Sequence, residues 1–169
     1  MSKTKKVAVI GVFSALYFVF SVMLKIPVMG GITLDLGYAV LMVAILCFGR
    51  IPAMIVGAIG ALLESMLISA RGISPGWICM NAIAGFLCGW VLEKIPPTEQ
   101  KKLVRTSCLI VPGAMLLGVT VKTFIDCAMY QLSLLVKIPT GLTAWIMDSL
   151  VMLLLGLPVG IGLKKRLKL

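Results

Sequence analysis

A chain of 169 residues that is 60% hydrophobic and 13% charged, with a mean hydropathy of +1.12, lacks the polar residues needed to cover a water-soluble core. Its net charge of +10 resides in basic residues at the ends of apolar runs, where lipid headgroups lie, which argues for a bilayer and against nucleic acid as the partner. The absence of histidine excludes imidazole triads, HExxH zinc sites and most imidazole proton relays.

Unbroken apolar runs of about 17 to 25 residues favour an all-α membrane bundle over a barrel of alternating ten-residue strands. Six spans follow in chain order, at about 7–24, 33–49, 52–70, 77–93, 106–134 and 143–163. The breaks between them are Lys25-Ile26-Pro27 to Gly31, Arg50-Ile51-Pro52, Arg71 to Gly76, the polar loop 94–105, and Lys137-Ile138-Pro139 to Gly141. The first span has no small-x-small cleavage site behind it and reads as a retained helix. The fifth exceeds what a bilayer requires and carries Pro112-Gly113. With the N-terminus in the cytoplasm, 12 basic residues fall inside and three (Lys25, Arg71, Lys137) outside, so the positive-inside rule places both termini in the cytoplasm. No linker, repeat or GxxxxGK[ST] motif interrupts the chain, which reads as one membrane domain over residues 1–169 whose ATP hydrolysis, if any, belongs to another chain. The five cysteines form no CxxC pair and read as buried apolar residues; no metal or cofactor is expected.

Small residues recur at helical spacing. Ala8, Gly11 and Ala15 lie on the first helix, Gly57 and Ala61 on the third, Gly85 and Gly89 on the fourth, Gly156 and Gly160 on the sixth. In lipid such pairs mark close helix contacts, within the bundle or with a partner, and the first helix is the better candidate for a partner because its span holds no ionisable residue.

Ionisable side chains inside a membrane are costly and mark function by default. Glu64, Asn81, Asp148, Asp126 and Lys122 all fall in the outer halves of their spans, and Lys122 and Asp126 are spaced i, i+4 for pairing. An excess of carboxylates suits a ligand rich in hydrogen-bond donors or positive charge; the competing reading is a satisfied internal polar network. Trp77, Trp145 and Tyr130 fall at outer ends, where they either anchor the interface or wall a pocket for a flat ligand. Arg71, in the outer loop, is placed to fold over the opening.

The residues Phe48-Gly49-Arg50-Ile51-Pro52 at an inner turn, Gly57, Gly60 and Glu64 along the third helix, and Ser74-Pro75-Gly76-Trp77 opening the fourth resemble the substrate-binding S components of energy-coupling factor (ECF) vitamin transporters. The segment around Pro75-Gly76-Trp77 is most similar to the folate-type branch, which usually reads Phe-Gly-Pro where this chain has Phe48-Gly49-Arg50 and aspartate where Glu64 stands. The resemblance implies a non-enzymatic multi-pass protein of the bacterial cytoplasmic membrane. It would capture a vitamin or precursor, folate-like, pterin-like or another flat heterocycle, at its outer face. It would dock through the first helix (Ala8, Gly11, Ala15) on a transmembrane coupling subunit driven by two ATPase subunits. The implied pocket location takes in Glu64, Arg71, Trp77, Asn81, Lys122, Asp126, Tyr130, Trp145 and Asp148. Two other readings of the carboxylates remain: a stand-alone proton-coupled carrier, and an intramembrane aspartyl enzyme, for which no GxGD motif is present.

Overall fold

A computed structural model describes residues 3–24, 26–29, 32–68, 72–96 and 98–166, so Lys25 and Arg71 lie outside the described residues. The chain forms α1 (Lys3–Met23), a short antiparallel hairpin of β1 (Ile26–Met29) and β2 (Ile32–Leu34), then α2 (Gly37–Phe48), α3 (Arg50–Leu67), α4 (Pro75–Leu92), α5 (Gln100–Tyr130), α6 (Leu134–Val151) and α7 (Leu157–Arg166). A π-helical stretch, Met152–Gly156, joins α6 to α7 without a break, so that one rod runs from Leu134 to Arg166. Five of these helices are long and apolar enough to cross a membrane, and α2 is a shorter apolar helix.

The short α2 is the centre of the bundle. Nearly all its side chains, from Tyr38 and Val40 through Leu46, are buried, as befits a helix that is apolar on every side. At 1.5 Å per residue it spans only about 18 Å. The second span is therefore shorter than hydropathy indicates, and the hairpin takes up the residues that precede it. Phe13 of α1 stacks edge-to-face on Phe48 at 5.0 Å, while Gly156 and Gly160 press against Ala39, Met42 and Leu46 of α2. The start of α1 and the end of α7 thus share the end of the bundle that holds Gly49, Arg50 and Glu93, the end the basic residues mark as cytoplasmic.

The fifth and sixth spans also differ from the sequence-based reading. The fifth span begins at Gln100 and ends at Tyr130, short of 134, followed by Gln131 in the left-handed region (φ 51°), and α6 begins at Leu134 and runs through the break expected from Lys137 to Gly141. Pro139 sits early in α6 without ending it. The hydroxyl of Thr143 donates to Pro139 O at 3.1 Å, and that of Thr140 to Lys137 O at 3.0 Å, engaging carbonyls around the proline.

The inner turn between α2 and α3 depends on a residue from α4. Gly49 has φ 79°, which favours glycine, and α3 starts without a capping side chain of its own. Glu93, at the end of α4, accepts the Arg50 N–H at Oε2 (3.1 Å) and pairs with the Arg50 guanidinium at 3.4 Å. Pro52 needs no donor there, being in the first turn. Glu93→Ala is expected to lower stability by about 1 kcal/mol, the usual loss of a helix cap, read as a lower unfolding midpoint in detergent with ligand binding unchanged.

Candidate functional site

Helix packing brings the polar residues of separate rods to neighbouring levels. A Cβ on Gly60 would run into the ring of Tyr17, one on Gly57 would lie 2.8 Å from Asn81 O, and one on Gly76 would lie 2.7 Å from Asp126 Oδ1. These close approaches align α1 with α3, α3 with α4, and α4 with α5. Within about two helical turns they collect Tyr17, Ser21, Asp35, Tyr38, Glu64, Trp77, Asn81, Lys122, Asp126 and Asp148. Glu64 is 1% exposed, Asn81 0%, Asp126 4% and Asp148 6%, so none of the four faces lipid.

Asn81 is held at both ends of its amide: the Tyr17 hydroxyl donates to Oδ1 at 3.0 Å, and Nδ2 donates to Trp77 O at 3.0 Å. This residue fastens α1 to α4. Asp35 accepts from the Ser21 hydroxyl at 2.7 Å and from the Gly37 N–H at 2.8 Å, closing the entry to α2 against α1. The Tyr17 and Tyr38 rings meet edge-to-face at 6.0 Å. Asp148 lies within electrostatic reach of Asp35, Lys122, Tyr38 and Glu64, and Glu64 of both tyrosines.

Toward the outer end, Asp126 Oδ2 receives two ammonium groups, Lys137 at 3.5 Å and Lys122 at 3.8 Å. The expected i, i+4 pair is present, with a second cation added from α6. Asp126 Oδ1 is buried and makes no hydrogen bond among the described residues. The Lys122 ammonium also stands over the Trp77 ring at 5.9 Å from its centroid. The Tyr130 hydroxyl donates to Ile73 O at 3.2 Å, tying the end of α5 to the segment before α4.

Trp145 is not at an outer helix end. Because α6 starts at Leu134, Trp145 sits three turns in, where its indole N–H donates to Pro112 O of α5 at 2.8 Å. Asp148 lies one turn deeper still.

Sequence reasoning missed Asp35, Tyr17, Tyr38 and Lys137. Asp35 was within its reach, as a carboxylate inside an apolar run. The tyrosines carried no such signal, since an aromatic in a membrane helix is ordinarily apolar filling.

Of the four small-residue pairs, three are buried in the bundle, against Asn81, Ala53 and Arg50, and α2 respectively. The α1 face differs. Ala8, Gly11 and Ala15 are exposed, and a Cβ on Gly11 would meet nothing within 4 Å.

A family model described as the S component of ECF-type riboflavin transporters matches residues 1–165. The chain belongs to this family. No curated protein and no solved structure matches it. As an ECF S component it belongs to a family of transport proteins and is integral to the bacterial cytoplasmic membrane. S components work with an ECF module of a coupling subunit and ATPases. The matching family is of the riboflavin type, and the match lends no support to the folate-type branch suggested by Pro75-Gly76-Trp77.

Proposed function

We propose that this S component captures riboflavin, or a flavin of closely similar shape, at its outer end and delivers it through an ECF importer. The observation that carries the reading is the riboflavin-type family match along residues 1–165. The polar layer supports it chemically. A ribityl chain offers several hydroxyl donors, and Glu64 and Asp148 are buried carboxylates that accept them. A flat isoalloxazine ring suits an aromatic wall, for which Trp77, with Lys122 above it, is the best placed indole, and Trp145 the second. Asp126 and Tyr130 serve the outer rim, Arg71 is a further candidate contact, and Asn81 holds the wall in place. Capture needs only hydrogen bonding, ion pairing and stacking. The face formed by Ala8, Gly11 and Ala15 then seats the loaded bundle on the coupling subunit, and reorientation of the bundle releases the ligand inward.

Asp148→Asn and Glu64→Gln, each nearly isosteric, are expected to weaken riboflavin binding by roughly 10-fold, the loss of a well-matched buried hydrogen bond. Quenching of flavin fluorescence on titration of the detergent-solubilised chain measures this. Parental affinity in both variants would refute the site. Absence of riboflavin binding in the parent, with mass spectrometry finding another copurified molecule, would refute the substrate.

A further inference from the structure

We infer that Tyr17 is a positioning residue that links occupancy of the outer polar layer to the docking face of α1; the inference rests on the function proposed above. Two groups of residues divide α1. Ala8, Gly11 and Ala15 are exposed, whereas Ser14, Tyr17 and Ser21 are buried, and at about 100° per residue the two groups point about 120° apart. One rigid helix therefore presents the docking surface with one face and grips the ligand layer with another.

The grip is specific. Gly60 leaves room for the Tyr17 ring, since any Cβ there would collide with it, and the ring is fully buried against Tyr38. Its hydroxyl donates to Asn81, whose amide donates to the carbonyl of Trp77, the residue one turn away whose indole lies beneath the Lys122 ammonium. Tyr38, on the other side of the ring, faces Asp148 and Trp77. A ligand that settles against Trp77 or Asp148 displaces a group resting on Tyr17 or on the residue Tyr17 holds. Ser21, one turn further out, bonds Asp35 and resists independent sliding of α1. Any shift of the wall is thereby passed to α1 as a change in its tilt or rotation, which moves Ala8, Gly11 and Ala15. Coupling of this kind is reciprocal: whatever factor ligand adds to docking affinity, docking adds to ligand affinity.

The test measures binding of the full chain, in lipid nanodiscs, to the purified coupling subunit with its ATPases, with riboflavin either saturating or absent. For the parent, the two docking affinities are expected to differ by about 5-fold or more. Tyr17→Phe keeps the ring and its packing and removes only the hydroxyl; the ratio of loaded to empty docking affinity is expected to collapse to within about twofold of one. A purely structural role would lower both affinities together and leave the ratio alone. Should Tyr17→Phe fail to fold, Asn81→Leu breaks the same hydrogen bond from the other side and is read by the same ratio. A parental ratio of one, or a ratio unchanged in the variant, overturns the inference while leaving riboflavin capture standing. A parent that binds no riboflavin removes the substrate reading and this inference with it.

Discussion

Gly11→Trp is expected to abolish uptake by the assembled transporter while leaving riboflavin binding to the isolated chain within about twofold of the parent. The reasoning is geometric. Between membrane helices no hydrophobic driving force operates, because lipid tails are as apolar as leucine, and association depends on backbones approaching closely over small residues. Nothing lies within 4 Å of the position a Cβ on Gly11 would take, and Ala8 and Ala15 beside it are exposed, so an indole there points out of the bundle and disturbs no internal contact. It does hold off any partner helix by the thickness of a ring. Uptake into proteoliposomes containing the whole transporter, paired with a fluorescence titration of the isolated chain, separates the two effects. Undiminished uptake would show that the coupling subunit docks elsewhere. Ala8→Leu and Ala15→Leu should give graded losses in the same assay.

Gly85→Val is expected to damage the fold severely. A Cβ at Gly85 would stand 2.7 Å from Ala53 O, 2.8 Å from Ala53 C and 2.9 Å from Met54 N, all of them backbone atoms of α3 that cannot rotate aside. The two helices would have to separate along a seam that also includes Gly57 against Asn81 and Gly89 against Arg50. Overpacking of this kind costs about 3 kcal/mol, and valine adds a branched side chain to the clash. The prediction is a sharp drop in folded yield and in unfolding midpoint in detergent. Gly113→Ala provides the control: its Cβ would meet nothing within 4 Å, and replacing a glycine inside α5 should stabilise by up to about 1 kcal/mol. Equal behaviour of the two variants would mean that the α3–α4 seam is not closely packed.

The same contrast separates what was legible in the chain from what was not. Hydropathy and charge alone determined an all-α membrane bundle and the short list of ionisable residues too costly to leave in lipid. Glu64, Asp126 and Asp148 were found that way, as was the Lys122–Asp126 pair, because helical spacing dictates it. Hydropathy could not say that the last rod begins at Leu134, since a proline reads as a break whether or not nearby threonine hydroxyls engage the carbonyls around it. It could not distinguish the exposed stripe of α1 from the buried glycines of α3, α4 and the final rod, since both carry the same spacing of small residues. Nor could it join Tyr17 to Asn81, which are 64 residues apart. The physical reason is common to all three. In water, an apolar face announces where the core is; in a bilayer, protein interior and surrounding lipid are equally apolar, so periodicity stops reporting direction. Only the packing of one rod on another decides which small residues meet a neighbour, which carboxylates come together, and which helix face is left for a partner.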